Sequence, residues 1–333
     1  MDRQATCRPA DGMSESGIRL RNISRLFCKK DKHSMSSYTR LIEKGIHVSE
    51  KNVCDQDKIW SRYSHDKVDI GEELARVIRT LDKDMPLNAE LRALSIGSSD
   101  EPQFRILETA FRGGLYLLDI NDCALGIVQE RIKRQRTDHV TTIKCDFNRI
   151  FLDPQKAKAF FRDRLGKRRV HLATLHHSLY YCRQCCWIEL FKNLYSGFLA
   201  PRAAIHAVLM SSKSKNPSTT TWLYNHFAGK FFGAYNDQDL RQFKKDLQRE
   251  TVFKKAQVLL RTNRVNFYVD DFEKFMAVVW MILLYPQVHR YSLEQRREIT
   301  QHVYHHFWRK KKPLTQEQDH LVVYKGLGCR GLI

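Results

Sequence analysis

From residue 91 onward, short apolar runs alternate with segments of helical period. Leu91 to Ile96 forms an apolar run closed by Gly97, and Leu115 to Leu118 forms a second that ends in Asp119. Further runs over 140–144, 170–175 and 203–210 have the length and β-branched content of buried strands. Between them, Phe104, Leu107 and Phe111 share one helix face over 101–111, and Ala124, Ile127, Val128 and Ile132 share another over 124–134. Asp153-Pro154 reads as an N-cap followed by a first-turn proline, starting a helix that runs to Leu165. Trp187, Leu190, Phe191, Leu194 and Phe198 give a further amphipathic helix. Strand–helix alternation of this kind predicts an α/β fold built on a parallel sheet.

The flanks read differently. Residues 1–35 are polar, basic and aperiodic, which predicts a flexible tail. Residues 36–83 read as helical, with Leu74, Val77, Ile78 and Leu81 on one face, before a break at Met85-Pro86-Leu87-Asn88. After a polar loop over 213–220, an aromatic-rich helix covers 222–232, and Asp237 reads as the cap of a helix carrying Leu240, Phe243 and Leu247. One or two strands fall within 252–270 (256–260 and 265–269). Residues 271–310 read as helical with an interruption at Pro286, and 320–324 as a last strand. The expected organisation is a tail (1–35), an N-terminal helical segment (36–90), a cofactor-binding Rossmann-like core (91–212), and substrate-side helices with the final strands (213–333).

Gly97 and Asp119 carry the first chemical signal. A glycine at a strand's end lets the backbone approach a ligand closely, and a carboxylate at the next strand's tip accepts hydrogen bonds from a ribose diol. Together they predict a nucleoside-containing cofactor at the carboxyl edge of the sheet. Residues 97–102 lack the G-x-G-x-x-G pattern, so no pyrophosphate cradle is indicated. Asp146 after the third strand suits the adenine amino group, with the Phe147 ring beside it to cover the base. Both features favour S-adenosylmethionine over a dinucleotide.

The run Leu94-Ser95-Ile96-Gly97, Leu118-Asp119-Ile120, Cys145-Asp146-Phe147 and Leu175-His176-His177-Ser178-Leu179-Tyr180-Tyr181 resembles the class I S-adenosylmethionine-dependent methyltransferase superfamily. The first of these motifs, the tyrosines after strand four and a helical insertion before the last strand are similar to the histamine N-methyltransferase-like group. The resemblance implies a mostly parallel Rossmann-like sheet with an antiparallel last strand, and a methyl-transfer activity. It places Gly97 and Ser98 at the methionine part of the cofactor and Asp119 on the ribose hydroxyls. Ile120, Asp146 and Phe147 fall against adenine, and Leu175 at the end of strand four. His176 falls near the transferred methyl. His177 is a second candidate base, and Tyr181, with Tyr180, can orient an acceptor. The family usually has two or three glycines in the first turn, whereas Ser98, Ser99 and Asp100 follow Gly97 here. That departure keeps a catalytically inactive binding subunit among the alternatives.

Charge adds a third alternative. The net charge is +20, and residues 151–333 hold 31 Lys/Arg against 14 Asp/Glu. That excess favours anionic partners, so RNA stands beside a small-molecule acceptor. The apolar run over 275–285 is too short to span a bilayer, and no membrane partner is expected. The 9 cysteines, odd in number and scattered, point to free thiols in a reducing compartment such as the cytoplasm. His176 and His177 near Cys182, Cys185 and Cys186 invite a zinc reading, but no second ligand pair follows, and small buried thiols at a helix start account for them. The aromatics Trp222, Tyr224, Phe227, Phe231, Phe232 and Tyr235 either line a pocket or, at helical spacing, form core.

Overall fold

The computed structural model describes residues 36–51, 53–86, 89–97, 103–284 and 291–327. The expected tail, the first-turn residues Ser98, Ser99 and Asp100, and Pro286 lie outside these ranges.

Helices α1 (Ser37–His47), α2 (Val53–Tyr63) and α3 (Asp66–Asp84) precede β1 (Arg92–Ile96). The alternation continues through α4 (Gln103–Ala110), β2 (Gly114–Asp119), α5 (Asp122–Gln135), β3 (Val140–Lys144), α6 (Phe147–Phe151), α7 (Pro154–Asp163) and β4 (Val170–His176). Then come α8 (Trp187–Asn193), β5 (Leu199–Met210), α9 (Thr220–Phe232), α10 (Leu240–Arg249), β6 (Gln257–Phe267), α11 (Phe272–Leu284), α12 (Leu293–Val303) and β7 (Leu314–Lys325). Local chemistry starts the helices where the sequence places polar caps. Asn121 accepts from the Cys123 and Ala124 amides, and Asp153 from those of Gln155 and Lys156 ahead of Pro154. The cap of α10 is Asp239, not Asp237, because its carboxylate reaches the Arg241 and Gln242 amides.

The described strands form one seven-stranded sheet in the order β3-β2-β1-β4-β5-β7-β6. Pairings from β3 to β5 are parallel, and β7 runs antiparallel to both its neighbours. This is the mostly parallel, Rossmann-like sheet with an antiparallel last strand expected above. Residues 252–270 supply one strand rather than two. The last strand begins at Leu314, earlier than its apolar stretch suggests, because Thr315, Gln316, Gln318 and Asp319 are buried polar residues. Their partners lie across the fold, as in the 2.8 Å bond from Gln318 to Asp69, so their polarity hides the strand from a hydrophobicity pattern.

One face of the sheet packs Leu74, Val77 and Leu81 of α3 against Ala93, Leu117, Leu172 and Ala204. The other packs Trp187, Phe191, Phe198 and Phe243 against Leu94, Leu118, Ile205 and Val323. A third apolar cluster joins α2 to α9, α11 and α12 through Trp60, Phe227, Phe275, Trp280 and Val303. Helices from both ends of the chain therefore share one core. No described helix is long and apolar enough to cross a membrane.

Trp187 shows how tightly the second face is set. It is fully buried, sits edge-to-face with Phe243 at 5.2 Å, and donates its indole N–H to the Cys182 carbonyl at 3.0 Å. Trp187→Ala removes a large side chain and orphans that carbonyl, so the expected loss is about 3–5 kcal/mol. A urea unfolding midpoint unchanged from wild type would contradict this packing.

Candidate functional site

Strand order reverses between β1 and β4, since β1 leads outward to β2 and β3 while β4 leads to β5. In open α/β sheets a crevice forms beyond the carboxyl ends of the strands at such a switch point. Gly97 closes β1 there. Its φ is +74°, in the left-handed region that favours glycine, and a Cβ at this position would lie 2.7 Å from the Cβ of Ser178 beyond β4. The Gly97 amide donates to the Leu118 carbonyl at 2.7 Å, which fixes the turn against β2.

The neighbouring tips are tied into one rim. Asp119 accepts from the Asn121 amide at 2.9 Å, which orients its carboxylate at the end of β2. Ile120 follows and is 67% exposed, an isolated apolar side chain at a strand tip. Cys145 donates its amide to the Asp119 carbonyl at 3.0 Å, bringing the end of β3 alongside. Asp146 caps α6 through a 3.0 Å bond from the Asn148 amide and lies 3.5 Å from Arg149. The Asn148 side chain donates to the Tyr181 carbonyl at 2.9 Å, linking the β3 and β4 tips. The Tyr180 hydroxyl accepts from the Met210 amide at 2.7 Å, linking β4 to β5.

The sequence-derived candidates fall in different layers of this rim. Gly97, Asp119, Ile120 and Asp146 line its edge, whereas Ser98 lies outside the described residues. Phe147 is buried in the core cluster with Phe151, which leaves little of its ring to lie over a base. Leu175 is likewise a core side chain, so only its backbone reaches the edge. His176 is 1% exposed and bonds His206 within the sheet layer. His177 adopts φ +54° and turns outward, stacking on Tyr180 with ring centroids 5.8 Å apart. Tyr181 is 65% exposed. Among the aromatics of α9 and beyond, Phe227 is core, and Trp222, Tyr224, Phe231 and Phe232 pack against it, while Tyr235 is exposed.

Residues that sequence reasoning passed over sit directly behind the rim, at the start of α3. His177 Nε2 lies 3.3 Å from Asp66 Oδ1, and Lys67 Nζ lies 3.3 Å from Asp66 Oδ2. Asp66 is completely buried. Burial pushes its carboxyl up, but the Lys67 and His177 charges and bonds from His177 and Trp60 outweigh that and hold it well below the usual carboxylate range. Gln103, opening α4, donates to the Lys67 carbonyl at 3.0 Å. The available signal was a charged Asp-Lys pair at the start of an otherwise amphipathic helix.

Among the described residues, several enclosed polar atoms around this rim lack hydrogen-bond partners: His176 Nδ1, Ser178 Oγ and Gln103 Oε1 on the β1–β4 side, Asn148 Oδ1 after β3, and Ser211 Oγ and Gln238 Oε1 on the β5 side. Buried polar groups are ordinarily satisfied, so these are the atoms at this edge that a water or a ligand would have to satisfy. Beyond β5 lies a polar cavity of about 270 Å³ lined by residues that include Gln184, Ser212, Lys213, Asn236 and Asp239. Among the described residues, no group of three or more His, Cys, Asp or Glu side chains is arranged to hold a metal ion. Burial lifts the Cys182 thiol to about 12, in keeping with an inert core sulfur.

No family model and no curated protein matches the sequence. Solved structures resemble the chain at low identity. The chain is similar to the YcgJ protein of Bacillus subtilis at 10% identity, with a TM-score of 0.46, over 76% of this chain and 100% of that one. It is similar to phosphoethanolamine N-methyltransferase 2 of Haemonchus contortus, in complex with S-adenosyl-L-methionine, at 12% identity and a TM-score of 0.41, over 75% and 52% of the two chains. An rRNA methylase from Streptococcus thermophilus is similar at 8% identity and a TM-score of 0.37, over 74% and 93%. Likenesses this weak carry no argument about activity, which rests on the chain's own sheet order and rim.

Proposed function

We propose that this chain is an S-adenosylmethionine-dependent methyltransferase acting on a small or medium-sized acceptor. The observation that supports it most is the pairing of Gly97 and Asp119 at adjacent strand tips of the switch point, backed by unpartnered buried polar groups and without a phosphate cradle. Asp119, oriented by Asn121, holds the ribose hydroxyls. Ile120 offers an exposed apolar cover for adenine, and Asp146 Oδ2, which faces Arg149 at 3.5 Å, takes the adenine amino group. The cofactor would supply an electrophilic methyl on a sulfonium; the protein's part is to align the acceptor and exclude water.

A proton must leave an amine or hydroxyl acceptor when it is methylated, and His177 is better placed to take it than His176. With Nε2–H donated to the buried Asp66 carboxylate, His177 keeps Nδ1 as a base and has a counter-charge for its imidazolium form. Tyr181, exposed at the same rim, orients the acceptor. The test is calorimetric titration with S-adenosylhomocysteine. Micromolar binding that weakens at least a hundredfold in Asp119→Ala is expected, since two charge-assisted bonds are lost, each worth about 1.5–3 kcal/mol. No binding by the intact protein would leave the inactive-subunit alternative in its place.

RNA as acceptor is the second reading, favoured by the 31 Lys/Arg against 14 Asp/Glu of residues 151–333. Its signature is retention of RNA that falls steeply between about 50 and 200 mM salt.

A further inference from the structure

Past the end of α12 the chain carries Arg309-Lys310-Lys311-Lys312, and all four residues are exposed. Among the described residues, none of their side chains enters an ion pair or a hydrogen bond. The turn that presents them is well fixed. The Lys312 amide donates to the Phe307 carbonyl and the Lys311 amide to that of Trp308, both at 3.0 Å, the paired bonds of a Schellman stop. Its left-handed position, at φ +51°, suits glycine, yet Lys311 occupies it. A charge is therefore held at the one place in the turn where the backbone would be easier without a side chain.

Flat rings adjoin this run. His226 and Trp222 on α9 stack with centroids 4.4 Å and planes 10° apart. His302 near the end of α12 and His306 beyond it stack at 4.2 Å and 24°. Trp222 and His302 join the two pairs at 5.8 Å. His226 and His306 are the exposed members. Burial and the neighbouring imidazoles lower His302 to about 4, so the middle of the cluster is uncharged near neutral pH. A cleft of about 280 Å³ lies beside the same turn, with Tyr268 and Trp308 among its walls, Lys311 and Lys312 on its lining and Asp270 as its one carboxylate.

This surface shares the rim's edge of the sheet. Val208 pairs with His176 on one side and His320 on the other, which marks the level of the rim on β7. Because β7 runs antiparallel, its first residue, Leu314, stands six residues beyond that level, about 20 Å along the strand. Leu314 pairs with Phe267, next to Tyr268, and Thr315 bridges Thr219 at the foot of α9. Ser64, two residues before the Asp66 that holds His177, also bridges Phe267. A small acceptor seated at the rim cannot touch both places, whereas several nucleotides of one strand can. Free cations beside flat rings are the make-up of a single-strand binding surface, where phosphates meet the charges and bases stack on the rings. An acidic peptide or a lipid headgroup would use the charges alone.

We propose that the Arg309–Lys312 turn, His306 and the cleft between Tyr268 and Trp308 form a docking surface for single-stranded nucleic acid leading to the rim. The inference rests on the RNA reading above and deepens it by naming where the strand is held. Fluorescence anisotropy of a labelled oligouridylate, titrated with the full chain at several salt concentrations, tests it. Lys310→Gln, Lys311→Gln and Lys312→Gln together should weaken binding at least tenfold at about 50 mM salt. They should also lower the slope of log affinity against log salt by about 2, from about 0.7 for each phosphate contact. His306→Ala should weaken binding at least about fivefold with the slope unchanged, the mark of a lost stacking contact. Lys311→Gly should lower the slope by about 0.7 without lowering the urea midpoint, which separates the charge from the fold. Lys133→Gln, Arg134→Gln and Arg136→Gln together remove three charges at the far end of α5 and should bind like wild type. Equal losses in the two triple variants would indicate diffuse attraction, and polyglutamate competing as well as the oligonucleotide would indicate a plain anion patch; either overturns the proposal. Binding that the lysine triple leaves intact removes this surface and lets the RNA reading stand, whereas no binding at any salt removes both. The deoxy form of the strand, run alongside, tells an RNA partner from a DNA one, and ring-dependent binding of either supports the surface.

Discussion

Gly97→Ala is expected to reduce S-adenosylhomocysteine binding at least a hundredfold and to destabilise the fold by about 2–4 kcal/mol. Two independent penalties combine at this one position. The backbone sits at φ +74°, where an L side chain is strained by about 1–3 kcal/mol. In addition, the new methyl would lie 2.7 Å from Ser178 Cβ, which is closer than carbon atoms approach. The turn can relieve that overlap only by moving away from β4, which breaks the 2.7 Å bond between the Gly97 amide and the Leu118 carbonyl and displaces the β1 tip from the Asp119 rim. Gly166→Ala is the control. Its φ is +56°, yet no atom lies within 4 Å of the added carbon, so it carries the strain without the clash. Its expected cost is about 1–2 kcal/mol with binding intact. Paired urea titrations and calorimetry decide the matter. A Gly97→Ala protein that binds like wild type would remove the β1 turn from the site.

Asp66→Asn is expected to destabilise the protein by about 3 kcal/mol, because it deprives the buried Lys67 ammonium of its counter-charge and leaves His177 only a neutral acceptor. The same residue predicts an acid limit. The carboxyls of Asp66 and Asp69 are held below their ordinary value of 3.8 in the folded protein: burial raises each, and their hydrogen-bond and charged partners more than reverse that. A carboxyl lowered on folding contributes stability that is complete above its unfolded pKa and is lost as pH falls toward its folded one. Urea midpoints should therefore hold steady down to about pH 5 and drop steeply below about pH 4. Asp66→Asn should flatten that drop. An identical acid profile for variant and wild type would show that Asp66 is not a source of it.

The parts of this architecture that the sequence reveals are those ruled by local chemistry. β1 and β3 fall where their apolar runs place them, and α7 starts at the Asp153-Pro154 signal. The Gly97 and Asp119 tips come to adjacent positions because parallel strands put successive carboxyl ends on one edge. What stays hidden depends on partners distant along the chain. Leu314 to Asp319 reads as polar, since nothing local reveals that Asp69 awaits Gln318 and His320 across the fold. Phe147 reads as a free aromatic beside Asp146 because burial of a ring is decided by α6 packing, not by its neighbours in sequence. His176 and His177 are indistinguishable as a dipeptide. The left-handed backbone of His177 separates them, turning one into the sheet layer and the other toward the rim. Asp66 and Asp69 look like ordinary helix-start carboxylates until tertiary contacts bring a histidine to each.

The position of β7 has a consequence for biosynthesis. Among the described strands, β6 joins the sheet only through β7, and β5 meets no other strand on that side. While a ribosome is still translating the stretch before Leu314, β5 and β6 both present open backbone edges, a configuration prone to pairing with the wrong chain. Native closure waits for the twelve residues Leu314–Lys325 to slide between them, so nascent chains stalled upstream of that point should be the form that most needs a chaperone's protection.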